Sequence, residues 1–157
     1  MTEQVQYTAA GEGMELTAPD AVLTVKVDAA HTGGTYEVFE VDAPRGPATP
    51  LHRTGWPKMY YVLQGRMLVQ VGEEAYDLGP GAAVTIPQHA LHTFTVLSPA
   101  SKFLTVSLTD AMGRFHADLD ASVPRDRPLP ETMAQVQQVL ARHDVSVLGF
   151  DSVGAHR

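Results

Sequence analysis

Residues 50–65 read PLHRTGWPKMYYVLQG, a polar segment followed by an apolar run that ends in a glycine turn. This pattern is typical of a strand pair at a metal site, with His52 at the first ligand position. Thr54 and Lys58 occupy positions at which a metal would require an imidazole and a carboxylate. The segment raises two questions: whether the chain binds a metal, and what a lysine does in that place.

Around this segment, short apolar and β-branched runs recur between turns rich in glycine and proline, which indicates an all-β sandwich or barrel. In RMLVQV, alternation places Met67, Val69 and Val71 on one face. The run MYYVL is apolar on both faces, so we expect both to be covered, one of them by a second layer or by the partner in a homodimer. The predicted strands are Ala21–Val27, Thr35–Val41, Met59–Leu63, Met67–Val71, Ala75–Leu78, Ala83–Ile86, His92–Leu97 and Phe103–Leu108.

After Leu108 the pattern becomes helical. Asp110 is a predicted N-cap for a short helix, and ETMAQVQQVLARH places Met133, Val136 and Leu140 on one helical face. We therefore expect a β-barrel in residues 1–109. Residues 110–157 should form a short C-terminal helical extension packed on the outside of the barrel, not an independent domain.

Composition restricts the class of protein. The chain has 157 residues, no cysteine and a formal net charge of −7. The negative charge argues against nucleic-acid and membrane partners, and the absence of cysteine excludes disulfides and thiolate chemistry. The N-terminus lacks the basic start and long apolar run of a signal peptide, so a cytoplasmic location is expected.

Two spaced motifs connect the strands to a known family. The first resembles the cupin pattern G-x5-H-x-H-x3-E-x6-G and is carried by Gly46, His52, Thr54, Lys58 and Gly65. The second resembles G-x5-P-x-G-x2-H-x3-N and is carried by Gly81, Pro87, His89, His92 and Val96. The sequence around both motifs is similar to that of small single-domain cupins of the quercetin-dioxygenase-like group. The metal-ligand positions of this chain are degenerate relative to that group. This resemblance implies a cupin jelly-roll barrel of two antiparallel sheets around a pocket.

The resemblance also implies where a metal would be held. Carried over position by position, the ligands would be His52, Thr54, Lys58 and His92, of which only the two imidazoles are of the expected kind. An ammonium has no lone pair and repels a divalent cation. No cofactor is therefore favoured, and a weakly held divalent metal (Zn, Ni, Fe or Cu) at His52 and His92 is the alternative.

Lys58 has three interpretations. It could extend out of the barrel mouth with only its stem buried. Facing inward, its pKa would fall, making it a base or a Schiff-base amine. Facing inward and charged, it would bind an anionic group of the ligand. His52 and His92 would transfer protons, or would be relics held by hydrogen bonds in a pocket without chemistry.

Other expected site residues follow from alternation and from their position near the entrance. The predicted ligand-contacting residues are Thr54, Trp56, Tyr60, Val62, His89 and Phe94. His31, His116, His143 and His156 lie outside both motifs, and a surface or helix-packing role is expected for each.

Three functions are consistent with these features. The favoured one is an enzyme that isomerises, cyclises or dehydrates a hydrophobic, aromatic or polyketide-like compound by acid–base chemistry, with His52, Lys58 and His92 as catalytic residues. The second is a metal-dependent dioxygenase of quercetinase type that uses His52 and His92. The third is a non-catalytic cupin that binds a small ligand.

Overall fold

The computed structural model describes residues 2–46, 48, 50–124 and 126–148. The last part of the predicted extension, residues 149–157 with His156, lies outside the described residues. The strands, in chain order, are β1 (Met14–Ala18), β2 (Ala21–Val27), β3 (Glu37–Pro44), β4 (His52–Thr54), β5 (Lys58–Gln64), β6 (Met67–Val71), β7 (Glu74–Leu78), β8 (Ala83–Ile86), β9 (His92–Val96), β10 (Ala100–Ser107) and β11 (Val145–Val147). Two helices, α1 (Ala111–Ser122) and α2 (Leu129–Arg142), separate β10 from β11.

The strands form two antiparallel sheets. The six-stranded sheet has the order β1-β2-β3-β10-β5-β8, and the five-stranded sheet has the order β11-β4-β9-β6-β7. Burial alternates along β3, β5 and β10, and also at the start of β6, as predicted: Met67 and Val69 are fully buried, whereas Leu68 and Gln70 are half-buried. The predicted all-β class, with two sheets and short C-terminal helices, is confirmed.

The core between the sheets is made of aliphatic and aromatic side chains. Tyr60, Phe94 and Phe103 pack edge to face, with ring centroids 5.1 to 6.2 Å apart. On the other face of β5, the Tyr61 side chain is 40% exposed. The two-sided apolar character of MYYVL thus corresponds to one face in the core and one face turned outward.

The differences between predicted and observed strands have simple causes. Three strands (Ala21–Val27, Met67–Val71 and Ala83–Ile86) coincide with the structure, and the other predicted strands are displaced by one to three residues at one or both ends. The strands β1, β4 and β11 were not predicted. β4 and β11 have only three residues each, too few to show a period of two, and the first half of β1 is exposed.

The described part of the C-terminal extension is tied to the barrel. Asp110 lies at the predicted N-cap, but its side chain makes no capping hydrogen bond. Instead, its carboxylate accepts a hydrogen bond from the Arg114 side chain over 2.9 Å. Strand β11 pairs with β4, and the Thr17 amide donates to Asp120 in α1. The helical face predicted in α2 buries Val136 and Leu140, and Met133 is half-buried. The division of the chain after residue 109 stays a prediction. Within the described residues, neither helix is long and apolar enough to cross a bilayer.

Candidate active site

A cavity of about 430 Å³ lies between the sheets, with α1 and α2 along its side. Its walls are mainly apolar and are formed by Trp56, Phe94, Val96, Phe115, Leu119 and Val136. Its polar side chains come from distant parts of the sequence: Asp20, His52, Thr54, Lys58 and His116, with Arg45 at the rim. A mostly apolar cup with a few convergent polar groups is typical of a small-molecule site.

His52 and His92 form a pair across neighbouring strands. They are directly opposite in the pairing of β4 with β9, and their ring centroids are 4.2 Å apart. His52 Nδ1 donates to the Pro50 carbonyl and His92 Nδ1 to the Ala90 carbonyl, each over 2.9 Å. Because a carbonyl only accepts, the proton of each neutral ring is on Nδ1 and the lone pair is on Nε2. His52 lines the cavity, whereas His92 is fully buried beside it.

Both imidazoles are neutral at physiological pH. Burial, and secondarily the positive charge of Lys58, lowers the pKa of His52 to about 4. Burial followed by the charges of Lys58 and His52 lowers the pKa of His92 to about 2. The unperturbed value near 6.5, on which the predicted proton transfer was based, therefore does not apply to either ring. Each ring presents Nε2 as an acceptor rather than as an acid.

Lys58 is the first residue of β5, opposite Ser107 of β10 and Ile86 of β8. The residue is only 7% exposed and lines the cavity, so the interpretation that it extends out of the mouth is wrong. Nζ lies 5.4 Å from the centre of the Tyr60 ring, and no hydrogen bond or ion pair links it to another described residue. Burial lowers the pKa of Lys58 to about 8, with the Asp20 carboxylate acting in the opposite direction.

Asp20 is the acidic residue that the motifs do not contain. It lies in the turn between β1 and β2, lines the cavity and interacts electrostatically with Lys58. Loss of hydration raises the pKa of Asp20, while its own backbone hydrogen bond and the charge of Lys58 lower it. The residue as a whole is exposed at the edge of the cavity. In the sequence, Pro19 and Asp20 show only the composition of a turn.

His116 belongs to the cavity as well. It is half-buried on α1, and burial, followed by the charges of Lys58 and His52, lowers its pKa to about 3. The expected surface or packing role overlooked a signal in the sequence. Met112, Phe115 and Leu119 are the buried residues of α1, and His116 shares their spacing of three and four. Because His116 lies on the apolar face of α1, it is directed toward the cavity that this face covers.

Thr54 and Trp56 also line the cavity. The Thr54 hydroxyl donates to the Trp56 carbonyl over 3.1 Å, which leaves its lone pairs free for a ligand donor. Trp56 is 1% exposed, and its Nε1 has no hydrogen-bond partner among the described residues.

Three of the predicted ligand-contacting residues are placed elsewhere. Tyr60 and Val62 point inward but pack in the core and do not line the cavity. His89 adopts a positive φ of 64°, and its Nε2 lies 3.1 Å from Asp144 on the outer surface. Phe94 does line the cavity. Alternation gave the correct face of β5 but not the depth at which the cavity ends.

The donor set does not fit the metal centre that the motifs imply. Among the residues that the structure describes, no three His, Asp or Glu side chains lie close enough together to hold one ion. The two remaining motif positions supply a threonine hydroxyl already bonded to a carbonyl and a lysine amine. Two imidazoles beside a cation make a poor site for a divalent metal.

Comparisons with known proteins agree with the architecture. The profile described as Cupin domain matches residues 38–107. A search of curated protein sequences gives no significant match. Among solved structures, KdgF from Halomonas sp. is similar, with a TM-score of 0.59 and 21% identity, covering 66% of this chain and 93% of that one.

Two further structures share the fold. The polyketide cyclase RemF from Streptomyces resistomycificus has a TM-score of 0.50 and 22% identity, covering 68% of this chain and 79% of that one. Ectoine synthase from P. lautus has a TM-score of 0.53 and 14% identity, covering 60% and 68%. At these identities the likeness shows the fold alone. Together with the profile match to residues 38–107, it supports a cupin-type jelly roll for the barrel.

Proposed function

We propose that this protein is an enzyme that acts on a hydrophobic, aromatic or polyketide-like compound by acid–base chemistry in the barrel cavity. For a carbonyl compound, isomerisation, cyclisation and dehydration can each begin with removal of a proton next to the carbonyl group, which leaves an enolate. The cavity has the parts that such a step requires: apolar walls, a neutral base and a buried amine. Within the superfamily, we place the chain in the quercetin-dioxygenase-like group with altered ligand positions.

The observation that carries the proposal is Lys58, a residue only 7% exposed whose amine faces the cavity with no hydrogen bond or ion pair to a described residue and with the Tyr60 ring centre 5.4 Å away. Leaving an ammonium group buried without a partner costs several kcal/mol. A developing enolate or phenolate oxygen beside it would offset that cost in the transition state, which is the condition for catalysis. Lys58 is therefore assigned to charge stabilisation.

The neighbouring groups have complementary roles. Nε2 of His52 carries a lone pair in the cavity and would accept the proton, and His92 holds the His52 ring by direct contact. Thr54 would orient a ligand hydroxyl by accepting a hydrogen bond from it, and Trp56 would form part of the apolar wall. RemF is described as a polyketide cyclase, so this fold can accommodate a substrate of the proposed class.

Deuterium exchange tests the proposal without knowledge of the natural substrate. The probe is 2-tetralone, a bicyclic ketone that enolises, incubated with the protein in D₂O and followed by proton NMR. We expect the wild-type protein to exchange the probe faster than buffer does. In Lys58→Met, this acceleration should be roughly tenfold smaller, or smaller still. Lys102→Met is the matched control, since Lys102 is paired with Glu40 and Asp42 on the sheet surface. Equal exchange by wild type and Lys58→Met would contradict the proposal.

The alternative of a metal-dependent dioxygenase has one observation in its favour. His52 and His92 both direct a proton-free Nε2 away from a backbone carbonyl, and His92 Nε2 is buried without a partner among the described residues. This is the tautomer that a metal ligand adopts. Metal analysis separates the two functions.

We also propose a homodimer, because Met59, Tyr61 and Leu63 on the outward face of β5 are apolar and Tyr61 is 40% exposed. Size-exclusion chromatography with light scattering should give twice the chain mass, and Tyr61→Glu should shift it toward the monomer. A wild-type monomer would contradict this. A cytoplasmic location and the absence of nucleic-acid and membrane partners stay predictions from composition.

A further inference from the structure

The three lysines of the chain differ in their surroundings. Lys26 Nζ donates to the carbonyls of Ala9 and Glu12 over 2.8 and 2.9 Å. Lys102 Nζ lies 3.4 Å from Glu40 and 3.7 Å from Asp42. Lys58 has neither kind of partner among the described residues and faces an apolar cavity. Burial without a partner favours the neutral form of an amine, and a neutral amine is a nucleophile.

We propose that Lys58 binds aldehydes or ketones covalently, as a Schiff base formed inside the cavity. The inference depends on the proposed function in one respect, that this cavity is the substrate site. It narrows the substrate class to carbonyl compounds with an apolar body. It also adds amine catalysis to the acid–base chemistry, since an iminium group draws electrons from a neighbouring C–H bond more strongly than the parent carbonyl does.

The step balances without an oxidant or reductant. The lone pair of neutral Nζ attacks the carbonyl carbon, the C=O π pair moves to oxygen, and a proton passes from nitrogen to oxygen to give a carbinolamine. A second proton converts its hydroxyl to water, which leaves as the nitrogen lone pair closes the C=N⁺ bond. Overall, R₂C=O and the protonated amine give the protonated imine and one water. Hydrolysis reverses the sequence and regenerates Lys58.

The groups around Lys58 suit these transfers. Asp20 comes from the β1–β2 turn, His52 from β4 and His116 from α1, and all three line the cavity. Each interacts electrostatically with Lys58, as does His92 behind His52, while Tyr60 places its ring beside Nζ. The carboxyl group of Asp20 could deliver the proton that removes water, and the neutral imidazoles could accept the proton of an activated C–H bond.

Reductive trapping tests the inference on the wild-type protein. The protein is incubated with 2-naphthaldehyde and sodium cyanoborohydride, which transfers hydride to the imine carbon and fixes it as a secondary amine. Each adduct adds the mass of the aldehyde less one oxygen atom. Tryptic mapping then assigns it to Lys26, Lys58, Lys102 or the N-terminus, because trypsin does not cleave after the modified lysine. Trp56, the single tryptophan, reports aldehyde entry by fluorescence quenching.

We expect one adduct at Lys58, formed near neutral pH roughly tenfold or more faster than at Lys26 or Lys102. The adduct should be absent in Lys58→Met, and its formation should be slowed by excess 2-naphthol, which has the same bicyclic ring system as the aldehyde but no carbonyl group. Native protein without an adduct at Lys58, or labelled equally at all three lysines, would overturn the inference.

The two proposals fail separately. Lys58-dependent exchange of 2-tetralone without an adduct would leave acid–base catalysis and remove the Schiff base. An adduct at Lys58 without exchange of 2-tetralone would support the Schiff base and contradict the proposed acid–base catalysis.

Discussion

His52 and His92 lie opposite each other on β4 and β9, and each donates its Nδ1 proton to the carbonyl two residues before it. The same local hydrogen bond thus fixes the tautomer of both rings. The two other positions of the expected metal site hold Thr54 and Lys58. Burial, and secondarily the charge of Lys58, lowers the pKa of both imidazoles. The two imidazoles thus supply two of the four ligands that the motifs imply, and the Lys58 amine lies near them.

The first prediction concerns metal content. We expect tag-free protein, incubated with excess Zn²⁺ or Ni²⁺ and then desalted, to retain far less than one equivalent of metal by plasma mass spectrometry. The reason is that two imidazoles with low pKa values beside a buried amine are too few ligands and face charge repulsion. One retained equivalent that disappears in both His52→Gln and His92→Gln would support the dioxygenase instead.

The second prediction concerns stability and the charge of Lys58. The pKa of Lys58 falls from about 10.5 in the unfolded chain to about 8 in the folded protein. Folding therefore opposes protonation: the cost is full below about pH 8 and disappears as the pH rises toward 10.5.

Lys58→Met removes this cost, so we expect it to be more stable than wild type by roughly 1–3 kcal/mol near neutral pH, with the difference shrinking as the pH is raised. Urea unfolding at several pH values gives the measurement. Lys102→Met, at an exposed ion pair, should show no such pH dependence. A Lys58→Met variant that is destabilised at every pH would show that the amine has a favourable partner.

The third prediction concerns His116, which the helical extension contributes to the cavity. If its neutral ring receives or returns a proton, His116→Gln should lower 2-tetralone exchange roughly 10- to 100-fold and change the pH–rate profile, while KM stays nearly constant. His31→Gln is the control, since His31 is bonded to Asp28 and does not belong to the residues that line the cavity. A variant with unchanged rate and profile would reduce His116 to a wall residue.

The fourth prediction concerns Glu37, a buried residue that joins β3 to α1. Glu37 Oε1 accepts the Gly113 amide over 3.0 Å, and an added Cβ at Gly113 would overlap Glu37 Oε2. Burial raises the pKa of Glu37 to about 7, opposed by the hydrogen bond from Gly113, while the negative charge of Asp110 raises it further.

Because the pKa is raised from 4.5 on folding, the stability that protonated Glu37 contributes is full below about pH 4.5 and lost as the pH passes 7. Glu37→Gln keeps the acceptor oxygen but cannot ionise. Between about pH 5 and 8, wild type should lose roughly 1–3 kcal/mol relative to Glu37→Gln in urea unfolding. Parallel stability curves for the two proteins would contradict the prediction.

Sequence reasoning located the strands of the barrel and the part of the site that lies on the motifs. Alternation and turn residues predicted β2, β6 and β8 correctly, and the motif spacing predicted that His52, His92 and Lys58 lie near one another. A period of two is visible only over several residues, so the three-residue strands β4 and β11 could not be found.

The rest of the site depends on distances that the sequence does not encode. Asp20 interacts electrostatically with Lys58 because the β1–β2 turn lies at the cavity, although the two residues are 38 positions apart in the chain. His116 lines the cavity because α1 packs beside β1. Tyr60 and Val62 face inward as predicted, but they pack in the core and do not line the cavity. His89 has a positive φ and is exposed. Periodicity gives the face of a strand, whereas depth and loop geometry come from packing.

The most direct test of the account is an NMR titration of the lysine amines in protein labelled with ¹³C at lysine Cε. The chain gives three lysine signals, and Lys58→Met assigns the one from the cavity. A buried amine without a partner should titrate with a midpoint near 8. A midpoint near 10.4, the value of a freely hydrated lysine, would place this amine in water and contradict both the enolate-stabilising and the Schiff-base roles.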